Sequence, residues 1–87
     1  MSHLQQPNLK LSPQHVVILK HLQTYPHLTT LEAMFVKGIG RVATRVFELK
    51  SKGIPIVTSI GKDLAGRRYA QYALTEEGHK IVGKLGI

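Results

Sequence analysis

At 87 residues, with hydrophobic side chains at 43% and no cysteine, the chain has the size of one domain and offers neither a disulfide framework nor a thiolate metal cage. Twelve Lys and Arg stand against five Asp and Glu, a formal net charge of +7 with a pI near 10.1. Such an imbalance attracts polyanions, so nucleic acid or an anionic surface are the first partners to consider. The longest apolar runs, such as Val16 to Leu19, are too short for a membrane span or a signal-peptide core, and the expected compartment is the cytoplasm.

Residues 1–11 are polar, carry a proline and show no periodicity, and are expected to form a flexible arm ahead of a domain over 12–87. Ser12 as N-cap and Pro13 at the first helical position open a first helix. Its inward stripe is Val16, Ile18, Leu19 and Leu22, and it ends before Pro26, which disfavours helix at Tyr25. Thr29 and Glu32 have the spacing of a capping box, opening a short second helix to about Phe35 with Leu31, Met34 and Phe35 available for packing. Gly38 supplies a residue free to take positive φ, so the link to the next helix is a tight turn.

The third helix is expected over 40–52, stopped by Gly53 and Pro55. At about 100° per residue Val42, Val46 and Leu49 fall together, with Ala43 and Phe47 extending the apolar side. Arg41, Thr44, Arg45, Glu48 and Lys52 gather opposite. The period then changes to alternation: Ile54, Ile56, Thr58 and Ile60 share one strand face, and Ala70, Tyr72 and Leu74 another. Between them Gly61 to Arg68 reads as the basic tip of a hairpin. Thr75 caps a last short helix whose first turn carries Glu76 and Glu77, favourable for the helix dipole.

Three helices, the second and third joined by a tight turn, then a two-stranded hairpin and a short C-terminal helix describe an α+β, mainly α, winged helix-turn-helix architecture. The stretch Thr29 to Ile60 and the exit Tyr72 to Val82 resemble the small bacterial and phage winged helix-turn-helix DNA-binding regulators, a likeness covering about residues 12 to 83. The resemblance implies a sequence-specific transcriptional regulator of double-stranded DNA, with the third helix in the major groove. Carried over by position, Arg41, Thr44 and Arg45 face base edges with Glu48 one turn on, and arginine suits guanine through O6 and N7. Lys52 meets phosphate, and Lys62, Arg67 and Arg68 at the wing tip straddle the backbone or reach into the minor groove. A palindromic site follows if the protein is a homodimer. No effector domain is expected, so regulation comes from occupancy, competition or a partner.

The rival readings are a DNA-architectural or recombination-directionality factor, and a protein-interaction module whose basic face inhibits a host protein. Arginines on both the third helix and the wing favour DNA over the latter. No cofactor, small-molecule ligand or metal is expected. His15, His21 and His27 are six residues apart and do not stack on one helical face, and no cysteine or nearby carboxylate completes a site. Neither a paired-carboxylate signal, a nucleophile motif nor a P-loop is present, so no enzymatic activity is expected. Tyr72 is assigned to the core and Tyr69, beside Arg67 and Arg68, to a possible sugar-phosphate contact. Met34 and Phe35 are assigned to the core, and exposure of either is taken as the mark of a dimer seam.

Overall fold

Local capping decides where three of the four described helices begin in the computed structural model, which describes residues 10–87. Helix α1 (Pro13–Thr24) starts at Ser12, whose hydroxyl accepts from the His15 amide while His15 Nδ1 accepts from the Ser12 N–H at 3.0 Å, a capping box with histidine at the third position. It stops at Tyr25, in extended backbone ahead of Pro26. Two residues, β1 (Leu28–Thr29), lead directly into α2 (Thr30–Phe35), which Thr29 and Glu32 cap reciprocally through two 3.0 Å hydrogen bonds.

Gly38, at φ 71, turns the chain toward α3 (Val42–Ser51). That helix begins two residues later than expected. Arg41 is its N-cap and makes no side-chain cap hydrogen bond, and Gly40, a poor helix former, stays in the turn. Its C-terminus is a Schellman motif: the Gly53 N–H donates to Lys50 O and the Ile54 N–H to Leu49 O, with Gly53 at φ 93 and Ile54 and Leu49 both fully buried.

The hairpin strands are β2 (Ile56–Lys62) and β3 (Arg68–Leu74), followed by α4 (Glu76–Leu85). The sheet has three antiparallel strands in the order β1-β3-β2, because Leu28 and Thr29 pair with Tyr72 and Gln71. The core is Ile18, Leu19 and Leu22 of α1, Leu28, Ala33, Ile39, then Val42, Val46 and Leu49 of α3, the hairpin root Ile54, Ile56, Tyr72 and Leu74, and Val82 of α4. Leu11, expected in the arm, packs half-buried against it, and the arm's residues 1–9 lie outside the described residues.

Several positions expected to pack inward, or to share a face with the core, are exposed or only half-buried. Ala33 is the only buried residue of α2, and Leu31, Met34 and Phe35 lie about 100–200° around the helix from it, exposed. Val16 is half-buried. On β2 burial ends at Ile56, so Thr58 and Ile60, though on the core face, stand on the part of the wing that extends past the domain body.

Two glycines of α4 differ in their surroundings. A Cβ on Gly78 would lie 2.7 Å from the Pro55 carbonyl oxygen and 2.9 Å from Leu74 Cδ2, whereas Gly83 has nothing within 4 Å. Gly83→Ala is therefore expected to raise stability by about 0.5–1 kcal/mol through helix propensity. Gly78→Ala is expected to lower it by about 1 kcal/mol or more, the overlap with backbone outweighing the propensity gain. Urea unfolding of the two variants against the parent checks both signs, and equal shifts would contradict the close approach.

Candidate nucleic-acid interface

Burial of Val42, Val46 and Leu49 sets the rotation of α3, and the remaining side chains follow from it. Turning by about 100° per residue, the line farthest from the core carries Thr44 and Ser51, with Phe47 and Glu48 about 50° to either side and Ala43 beyond Phe47. Ala43, Thr44, Phe47 and Ser51 are exposed, Phe47 at 69%. The expected apolar extension through Ala43 and Phe47 thus faces outward rather than into the core.

The charged residues expected on that outer face are divided. Arg41 is exposed immediately ahead of the helix, and Lys52 is half-buried at its C-cap. Arg45 and Glu48 turn toward α1: Arg45 NH1 donates to Glu48 Oε1 at 2.8 Å, and the same oxygen accepts from His15 Nε2, also at 2.8 Å. Because the Ser12 N–H occupies Nδ1 of His15, the ring proton of the neutral imidazole sits on Nε2, the tautomer that donates to Glu48. The Arg45 side chain is only 29% exposed and its buried Nε has no partner. Of the five residues expected opposite the core, only Thr44 sits on the outermost line.

The wing turn is built by Asp63. Its N–H donates to Arg67 O, its carbonyl accepts from Gly66 N–H, and Gly66 takes φ 81, a turn closed by one left-handed residue. The Asp63 carboxylate accepts from the amides of Ala65 and Arg67 and from Arg67 Nε at 3.1 Å. Lys62 and Arg68 are paired across the strands and exposed, and the Arg67 side chain is 82% exposed despite its contact with Asp63. The wing tip therefore carries the three expected cations together, with Leu64 fully exposed at the apex. Behind them the Tyr69 ring covers Gly61, where a Cβ would fall 2.5 Å from Cζ, so Tyr69 is engaged in the hairpin and half-buried. Tyr72 is in the core as expected. Arg67, Arg68 and Tyr69 also border an open groove of about 550 Å³ shared with Thr29, Thr30 and Leu31 at the start of α2.

Three exposed residues escaped the sequence reading: Lys37 in the turn before α3, Lys50 on the flank of α3, and Phe47 as a surface residue. Lys50 was legible from its position between the buried stripe and the outer line, and the same spacing puts Phe47 outward, a signal overridden because its residue type argued for the core. Among the described residues no group of three or more His, Asp or Glu is placed to hold a metal, and no helix is long and apolar enough to cross a membrane.

The shared oxygen of Glu48 has a measurable consequence. Glu48→Ala removes the acceptor of the buried His15 Nε2–H, and such an unsatisfied donor costs about 1–3 kcal/mol. Chemical denaturation should show that loss, and a Glu48→Gln variant, which keeps an acceptor oxygen, should recover part of it. Equal stability of Glu48→Ala and the parent would contradict the network.

No curated protein and no solved structure matches the chain. A family model described as a winged helix-turn-helix domain matches residues 13–77, from the first residue of α1 into the first turn of α4. That span covers the helix pair α2–α3 and the wing in the order found here, and the chain belongs to the winged helix-turn-helix domain family.

Proposed function

We propose that the protein is a sequence-specific, double-stranded-DNA-binding transcriptional regulator, acting in the cytoplasm by binding and without catalysis. A winged helix-turn-helix domain is a DNA-binding fold, in which the second helix of the pair, here α3, lies in the major groove. The observation that carries the reading is the placement of cations around that helix and at the wing: Arg41, Lys50 and Lys52 on or beside α3, and Lys62, Arg67 and Arg68 at one hairpin tip. Scattered solubility charges have no reason to concentrate at the two elements this fold offers to a duplex.

The roles differ with the surroundings of each side chain. Arg41 and Thr44 reach base edges, and Lys50 and Lys52 meet phosphates along the groove walls. Arg45 and Glu48 hold α3 against α1 and contribute through position rather than through a direct base contact. Lys62, Arg67 and Arg68 neutralise phosphates beside the minor groove, where backbone contacts set register but carry no sequence information.

A second reading, a homodimer or protein-binding surface, draws on a different place: Met34, Phe35 and Val36 at the end of α2 are exposed, Phe35 at 77% and Val36 at 71%. A dimer through this surface is compatible with DNA binding and implies a two-fold symmetric site.

Duplex binding measured by fluorescence anisotropy across a salt series tests the proposal. If about six phosphates are neutralised, log K falls against log salt with a slope of about −5. Arg68→Ala and Lys62→Ala should each reduce that slope by about 1 and weaken binding to all sequences alike. Phe35→Ser should leave the affinity of one domain for DNA unchanged. No binding to any duplex at low salt contradicts the proposal.

A further inference from the structure

The outward side of α3 is more apolar than a helix that reads guanines needs. Phe47 stands four residues from Ala43 and three from Thr44, all exposed, and so joins them into one surface. Ser51 adds no polar projection there, because its hydroxyl donates back to the Phe47 carbonyl at 3.1 Å. The nearest long polar groups are also turned away: Arg45 is bound to Glu48, and Glu48 accepts from His15 on α1. What remains at the centre is a methyl, the γ-methyl of a threonine and a phenyl ring.

Cations stand on both flanks of that surface. At about 100° per residue, Arg41 and Lys52 fall on one side of the Ala43, Thr44 and Phe47 patch and Lys50 on the other. An apolar strip between two basic edges matches a major groove, whose walls are phosphates and whose floor has one apolar feature, the thymine C5 methyl. Alanine, the threonine methyl and phenylalanine are side chains that pack against that group.

We propose that α3 selects its DNA through thymine methyl groups, with Phe47 as the principal reader and Ala43 and Thr44 as its neighbours. The preferred duplex therefore carries thymines where this patch meets the groove floor. This rests on the DNA-binding reading above and specifies its substrate: the discriminating contact is apolar and directed at thymine, and the arginine-to-guanine contact expected from Arg45 is replaced by a structural tie.

The test uses the full chain and duplexes selected by the parent protein from a randomised pool, each synthesised in two forms, with thymine or with uracil, which lacks only the methyl. The parent is expected to lose about fourfold in affinity for each contacted methyl removed, the effect of exposing one buried carbon. Phe47→Ala is expected to lose most of the preference for the thymine form. Phe47→Leu, which keeps an apolar side chain, should retain part of the preference. Arg68→Ala should weaken binding to both forms and keep their ratio. Phe47 is exposed, so these substitutions leave the core intact, and circular dichroism verifies it. Tight binding by the parent with no difference between thymine and uracil overturns the proposal while the DNA-binding reading stands. An undiminished preference in Phe47→Ala overturns it as well, and a change from dimer to monomer in Phe47→Ala with no uracil effect assigns the patch to a second copy instead. Binding to no duplex at all removes both readings.

Discussion

Burial of Val42, Val46 and Leu49 is the constraint on which the outward face of α3 depends. Each such side chain contributes about 2 kcal/mol when fully buried, so together they rival the net stability of a small domain, about 5–15 kcal/mol. Rotating α3 by one residue position would expose part of that stripe, and the helix is held to one orientation. The Schellman turn fixes its far end, where Gly53 allows the chain to reverse and Ile54 seats against Leu49. The outward set, Ala43, Thr44 and Phe47, is thus a consequence of packing rather than of its own chemistry.

Polar interactions then decide which charges remain available. The His15, Glu48 and Arg45 cluster takes one arginine and the single carboxylate of α3 out of the outer surface and ties the helix to the start of α1. At the wing the opposite division holds. The Asp63 carboxylate is consumed by the turn, accepting three hydrogen bonds, which leaves Lys62, Arg67 and Arg68 as the dominant charge of an ordered tip. In both places an acid is engaged in ordering the frame while neighbouring cations, Arg41 and Lys50 at the helix and Lys62 and Arg68 at the wing, stay exposed.

The parts of this arrangement that were legible in the sequence are those fixed by neighbours in the chain. Ser12 with Pro13, the Thr29 and Glu32 box, Gly38, Gly53 and Thr75 each act within a few residues, and the element order they punctuate is the winged helix-turn-helix order. The strand β1 was not legible, because two residues carry no alternation and Leu28 becomes a strand only by pairing with Tyr72. Arg45 was misplaced because its partner Glu48 is itself drawn toward α1 by His15, 33 residues away in the chain, and nothing local announces that contact. Phe47, Met34 and Phe35 were assigned inward by residue type. On helices of ten and six residues the few inward positions are already filled by Val42, Val46, Leu49 and Ala33. Exposed apolar residues on a short helix are where residue type misleads and helical spacing is the better guide, and where a binding surface is to be sought.

The most direct measurement of the central claim, that packing turns one face of α3 and the wing tip toward DNA, is a titration of the isotopically labelled protein with duplex followed by amide chemical shifts. The account predicts that the largest changes map to Ala43, Thr44 and Phe47 and to Lys62 through Arg68, with α4 and the outer side of α1 unaffected. Changes confined to Met34, Phe35 and Val36 or to α4, with α3 silent, would contradict it.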